Sequence, residues 1–160
     1  MKYGMLWGGV LFSALLVGGC ATTETAPQMT PLEIQSIQTR SFEAPKTIVF
    51  PSAISVFQDL GYTIVSADLN TGLITGESAA ANNPWLTFWT GSSEMKQTRS
   101  TAFVEEIRGM STIRINFVEI RETSSGWGRR DRQDIPILDT NIYQNAFERI
   151  ENAIFLRVGS

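Results

Sequence analysis

The chain contains no histidine and a single cysteine, Cys20, among its 160 residues. Histidine is the commonest general base near neutral pH and the commonest metal ligand, so its absence excludes Ser-His-Asp and Cys-His catalytic arrangements. One cysteine excludes an intrachain disulfide and a thiolate metal cluster. We therefore predict no catalytic residue, no metal site and no cofactor, and expect a protein that is not an enzyme.

An enzyme of this composition would depend on carboxylates alone or on lysine and tyrosine chemistry. The adjacent acids Glu105 and Glu106 lie in a predicted strand, where neighbouring side chains point to opposite faces, so they cannot form a catalytic pair.

Positive charge is also scarce. The net charge of −3 becomes −4 without residues 1–19, which hold one basic residue and no acid. We expect no nucleic-acid partner.

The N-terminus combines a positive residue with a short apolar run. Lys2 precedes the run of residues 6–17, which is shorter than the roughly 20 residues that span a bilayer and has the proportions of a signal peptide. Two glycines then lead directly into Cys20, and this junction resembles the lipobox of bacterial lipoproteins. A plain signal peptide, or a short membrane anchor with an incidental cysteine, is the alternative.

The lipobox resemblance implies that residues 1–19 are removed and that Cys20 carries the lipid anchor. A diacylglyceryl group together with an acylated amine gives stable anchoring, whereas one chain gives only marginal binding. The residue after the cysteine is Ala21, whereas an aspartate at that position favours retention in the inner membrane. The resemblance therefore implies an outer-membrane protein whose domain faces the periplasm. The sequence leaves open which leaflet carries the anchor. Residues 20–36 predict a flexible tether, and residues 37–158 a single domain.

Hydrophobic periodicity predicts the order β-α-β-β-β-β-α. Pro51 is placed in the first turn of the first helix, where a missing N–H costs little, and a bulge is predicted near Phe117, where the alternation breaks. Four consecutive antiparallel strands and two amphipathic helices predict a two-layer α+β domain with both helices on one sheet face. The predicted elements are strand 38–43, a helix ending at residue 60, strands 62–67, 73–78, 98–107 and 111–122, and helix 140–157.

Four pieces of the chain resemble an uncharacterised family of small Gram-negative lipoproteins. They are TRSF at 39–42, FQDLGYTI at 57–64, GLITG at 72–76, and the closing pattern of residues 142–156. The pattern is also similar in style to the helix-grip domains of the lipoprotein subunit in the outer-membrane β-barrel assembly machinery. This resemblance implies a fold and no catalytic residue.

Two predicted loops, 79–96 and 123–136, hold the aromatic and arginine residues that the core does not need. Loops of this length are uncommon in a compact domain and are often functional. In an up-and-down meander both loops leave the same end of the sheet, opposite the tight turns 68–72 and 108–110, so we predict that they form one rim. The predicted rim residues are Trp85, Phe88, Trp89, Trp127, Arg129, Arg130 and Arg132.

Exposed aromatic side chains beside arginine are typical anchors of protein interfaces. We therefore expect a non-catalytic binding or assembly module of the cell envelope that captures a protein partner at this rim. A lipid- or glycan-handling protein is the alternative, because aromatic rings also favour the membrane interface and stack on sugars. A structural interpretation is open as well, in which the aromatics cover the end of the core and the arginines are a solvated face.

Overall fold

The computed structural model describes residues 29–82, 93–125 and 128–159. An antiparallel sheet carries the helices on one face, which confirms the predicted two-layer α+β class. The described elements in chain order are α1 (Pro31–Gln38), β1 (Thr39–Phe42), α2 (Lys46–Asp59), β2 (Tyr62–Asp68), β3 (Leu73–Ser78), β4 (Ala81–Asn82), β5 (Ser93–Ile107), β6 (Met110–Ser124), β7 (Arg130–Pro136) and α3 (Thr140–Val158).

The strands pair in the order β1-β6-β5-β3-β2, with β4 added to β5 and β7 added to β6. Strands β1 and β7 share one edge of β6, because β1 pairs with residues 111–114 and β7 with residues 118–124. Between them, the Phe117 N–H donates to the Tyr143 hydroxyl at 3.3 Å, and the Phe117 carbonyl accepts from the Ile137 N–H at 2.9 Å. The edge of β6 therefore stays hydrogen-bonded across the gap between its two neighbours.

The core lies between the sheet and the two long helices. Each of the two predicted amphipathic helices buries one apolar stripe. In α2, Ile54 and Leu60 lie partly buried at the border of this stripe. Aromatic rings from both layers meet at the centre, since Phe57 of α2, Phe117 of β6 and Tyr143 of α3 pack with centroids 5.3 to 6.3 Å apart. The buried α3 residues are Tyr143, Ala146, Phe147, Ile150 and Ile154.

The predicted bulge near Phe117 is wrong. The β5–β6 register runs without a shift from the Ser93–Ser124 pair to the Ile107–Met110 pair. The alternation breaks because the buried side of β6 changes along its length. Ile113, Ile115 and Phe117 face the helices, whereas Ile120 is buried on the opposite face and does not belong to the helix-side core. The described bulge lies in β2, between Ile64 and Ser66.

The first long helix begins earlier than predicted, and Pro51 lies inside it rather than in its first turn. The helix starts at Lys46 because a residue distant in sequence binds its N-terminus. Pro45 supplies no side-chain cap, and the Lys46 N–H donates instead to Glu106 Oε2 of β5 at 2.6 Å. A carboxylate at this position satisfies a free N–H and complements the helix dipole. Local sequence patterns could not reveal this contact.

The predicted tether of residues 20–36 is wrong for residues 31–36, which belong to α1. Thr30 and Glu33 form a reciprocal capping box, and the hydrogen bonds to this cap lower the pKa of the Glu33 carboxyl. The C-terminal end of α1 joins the domain, because the buried Gln38 side chain donates to the Tyr143 hydroxyl at 3.4 Å. Residues 20–28, including Cys20, lie outside the described residues.

The two tight turns lie at one end of the sheet, as predicted. Arg108 and Gly109 have φ values of 56° and 79°, the geometry of a two-residue hairpin turn of type I′. Gly72 has a φ of 82°, and a side chain there would collide with the Val104 carbonyl oxygen. Because the Gly72 and Val104 backbones lie so close together, the Gly72 carbonyl accepts a hydrogen bond from the Val104 N–H at 2.9 Å. This bond joins the turn to β5.

The contact between β5 and α2 gives a testable prediction. Glu106→Gln should lower the free energy of unfolding by about 1 kcal/mol, because the charge at the helix N-terminus is lost. Glu105→Gln is the matched control, since Glu105 faces the opposite side of the sheet, and its effect should stay within about 0.5 kcal/mol. Urea unfolding measures both values. Equal losses in the two variants would contradict the capping role.

Candidate partner-binding site

The far end of the β5–β6 hairpin projects beyond the core. We call this region the arm, which consists of β4, β7 and the paired segments 93–98 and 119–124. No described arm residue belongs to the helix-side core cluster. The arm is therefore held mainly by strand pairing and by contacts among its side chains. A region that contributes little to the core needs another explanation.

Both predicted loops are shorter in the structure than in the sequence analysis. Residues 93–96 of the predicted loop 79–96 belong to β5 and pair with β6, and residues 81–82 form β4. The predicted loop 123–136 is mostly strand, since β6 continues to Ser124 and β7 covers residues 130–136. Every β7 residue is exposed, so the strand has no apolar face and no hydrophobic period to reveal it.

A shallow pocket of about 480 Å³ lies where β5, β6 and β7 meet in the arm. Met95, Glu122 and Arg132 form its centre, because they lie side by side across the three strands on the face away from the helices. The Met95 side chain remains 39% exposed, so a thioether is available to a partner. The lining residues are Met95, Glu122, Thr123, Ser124, Arg130, Asp131 and Arg132.

Ion pairs fix several charged side chains on the outer face of the arm, the one away from the helices. Arg132 Nε lies 2.9 Å from Asp134 Oδ1, and Arg132 Nη1 lies 3.6 Å from Glu122 Oε1. The hydrogen bond and the charge of Arg132 lower the pKa of the Asp134 carboxyl. Asp134 and Glu122 in turn raise the pKa of Arg132. Farther along this face, Arg99 Nη2 lies 2.9 Å from Glu77 Oε1.

A second ion network lies on the opposite face of the arm. Arg121 joins two acids there, with Nε 3.3 Å from Glu94 Oε1 and Nη2 2.6 Å from Glu119 Oε1. Lys96 extends the network at 3.7 Å from Glu94. These charges cover the helix-facing side of the arm, where an apolar residue would lack a helix to pack against. Both faces of the arm therefore carry ion pairs, and Ile120 is the buried apolar residue on the outer face.

Only the arginines of the predicted rim lie within the described residues. Arg129, Arg130 and Arg132 are all exposed, and Arg130 and Arg132 line the pocket. Within the described ranges, Arg129 and Arg130 form no ion pair, unlike Arg132. The remaining rim residues, Trp85, Phe88, Trp89 and Trp127, lie outside the described residues, and so does the predicted lipidation site Cys20.

Residues of both predicted loops pair with each other in the arm. Ser93, inside the first predicted loop, pairs with Ser124, and Ser124 also pairs with Arg130, both inside the second. Sequence reasoning placed Arg130 and Arg132 in a loop and missed Met95 and Glu122 as neighbours. The available signal was the alternation of Glu94 and Lys96 with Met95, which predicts that Met95 faces the other side of a strand.

Comparison of the chain with models of known protein families and with curated proteins finds no match. Across residues 29–82, 93–125 and 128–159, no helix has both the length and the apolar character needed to cross a membrane. In the same part of the chain, no three acidic side chains come together as metal ligands.

The ion pair at the edge of the pocket gives a second prediction. Arg132→Gln should raise the pKa of Asp134 towards its ordinary value of 3.8, because it removes the hydrogen bond and charge that lower it. The Arg132–Asp134 pair stabilises the folded state at pH values above the ordinary pKa of Asp134. This contribution is lost as the pH falls through the lowered pKa of the folded state. Carboxyl-carbon NMR over a pH series measures the pKa.

Arg130→Gln is the matched control, because Arg130 has no described contact with Asp134. The pKa of Asp134 should not change in this variant. A shift of the same size in both variants would mean that general charge, rather than the Arg132 contact, sets the pKa.

Proposed function

We propose that the protein is a lipid-anchored, periplasm-facing binding or assembly module of the bacterial outer membrane, without catalytic activity. Its partner would be an envelope protein that binds the arm at the Met95 pocket. The observation that carries this proposal is the arm itself, a projecting four-stranded extension that adds nothing to the helix-side core. The lipobox-like sequence that ends in Cys20 supports the membrane anchor.

The chemistry of the pocket favours a protein partner. Methionine, arginine and aromatic residues are enriched at protein interfaces, and the pocket combines Met95 with Arg130 and Arg132. Arg132 is already held in place by Asp134, so little side-chain entropy would be lost when a partner binds it. Arg130 has no ion pair among the described residues and remains available to a carboxylate or carbonyl group of the partner.

A purely structural role explains the arm less well. Unpaired edge strands are a liability for a protein, because they invite pairing with other chains, and charged residues are a common protection. The charges of β7 serve that purpose, but β7 would not need protection if the hairpin ended at the core. The extension therefore favours recognition over packing.

Lipidation is the first part of the proposal to test. Cells that express the chain should incorporate labelled palmitate into it, and Cys20→Ser should abolish the incorporation. Ala21→Asp is the complementary variant, since it should keep the label but move the protein from the outer-membrane to the inner-membrane fraction. Incorporation that persists in Cys20→Ser would exclude Cys20 as the anchor.

The partner surface is tested by photo-crosslinking in living cells. A crosslinking residue at Met95 or Arg130 should give a discrete adduct, and mass spectrometry should identify it as an envelope protein. The same residue at Phe155 is the control, because Phe155 is 75% exposed on α3 and lies outside the pocket. This position should not give the adduct.

Three other outcomes would count against the proposal in different ways. Adducts to lipid or glycan alone would favour the lipid- or glycan-handling alternative. Equal capture of the same protein at Phe155 would mean nonspecific contact with the domain. No adduct at Met95 or Arg130 would remove the arm as the binding surface.

A further inference from the structure

A second cavity lies on the other face of the sheet, beside the helices. It measures about 330 Å³ and lies between the end of α2, the start of β2 and the first turns of α3. The Met95 pocket opens on the opposite face, so the two cavities are separate sites. The lining residues are Leu60, Tyr62, Phe117, Asn141, Ile142 and Asn145.

Two aromatic rings form the floor of this cavity. The Tyr62 and Phe117 rings stack with centroids 6.0 Å apart and an interplanar angle of 29°. Gly76 packs closely beside Tyr62, since a side chain there would crowd the Ser100 Oγ at 3.0 Å and the Tyr62 Cβ at 3.2 Å. The Phe57 ring supports both aromatics from α2, at 5.9 Å from Tyr62 and 6.3 Å from Phe117. The floor is therefore fixed by the core before any ligand binds.

The polar groups of the cavity carry no formal charge at neutral pH. Asn145 Oδ1 accepts from Arg149 Nε at 2.9 Å, which leaves the amide NH2 of Asn145 as its free end. Neither the Asn141 side chain nor the Tyr62 hydroxyl has a hydrogen-bond partner among residues 29–82, 93–125 and 128–159. Burial raises the pKa of Tyr62, so its hydroxyl stays protonated and can donate.

We propose that this cavity binds an uncharged apolar molecule, an aryl or short alkyl group that carries one hydroxyl or carbonyl oxygen. The apolar part would lie against Tyr62 and Ile142, with the buried Phe117 ring beneath them, and the oxygen would bind the amides of Asn141 and Asn145. An ionised ligand is disfavoured, because no lining residue offers an opposite charge to offset its lost hydration. One water molecule occupies roughly 30 Å³ in the liquid, so a cavity of this volume holds a small molecule of about ten heavy atoms.

The test uses the full chain in lipid nanodiscs, labelled at its leucine and isoleucine methyl groups for NMR. Titration with 2-phenylethanol should give a saturable shift of the Leu60 methyls, while the methyls of Ile113, buried elsewhere in the core, stay unchanged. Phenylacetate has the same ring but a carboxylate, and should bind at least tenfold more weakly. No saturable shift with 2-phenylethanol, or equal affinity for phenylacetate, would overturn the proposal.

Matched variants on α3 locate the binding. Ile142→Gln should weaken 2-phenylethanol binding at least fivefold, since it removes part of the apolar lining. Leu156→Gln is the control, because Leu156 is 70% exposed on the same helix and outside the cavity, and its affinity should equal that of the parent chain. Equal affinities in the two variants would overturn the proposal. The methyl spectrum of each variant, recorded before ligand is added, shows whether that variant is folded.

Discussion

The rest of the fold depends on the buried hydrogen bonds of the Tyr143 hydroxyl. It donates to the Ile137 carbonyl at 2.8 Å and accepts from the Phe117 N–H and the Gln38 side chain. One buried group therefore joins α3, β6, the segment before α3 and the end of α1. A buried hydroxyl without these partners would be costly, so the four elements are positioned together. The hydroxyl also fills the gap on β6 between β1 and β7.

This arrangement divides the sheet into two parts with different physical character. On one side of the gap, β6 pairs with β1 and lies under the helices, so its helix-facing residues Ile113, Ile115 and Phe117 are buried in the core. On the other side it pairs with β7 and enters the arm, where ion pairs replace apolar packing. The change of buried face at Ile120 marks the same boundary. The two candidate sites lie on either side of it, one on each face of the sheet.

Much of the fold could be predicted because its signals are local. The α3 stripe from Tyr143 to Ile154 follows helical periodicity, and the turn at Arg108 and Gly109 follows from strand pairing on both sides. The candidate site was less accessible. Strand β7 is exposed along its whole length, so no period distinguishes it from a loop. The predicted rim aromatics lie outside the described residues and stay a prediction.

The sequence by itself determined the α+β class, the antiparallel meander and the burial of both helix stripes, because hydrophobic periodicity depends on neighbours in the chain. Tertiary structure alone decided where α2 begins, since the Glu106 carboxylate that binds Lys46 lies 60 residues away. It also decided that Tyr143, an apolar-stripe residue by position, is the hydrogen-bond centre of the domain. Contacts between residues distant in sequence leave no local pattern, and only the folded chain brings their atoms together.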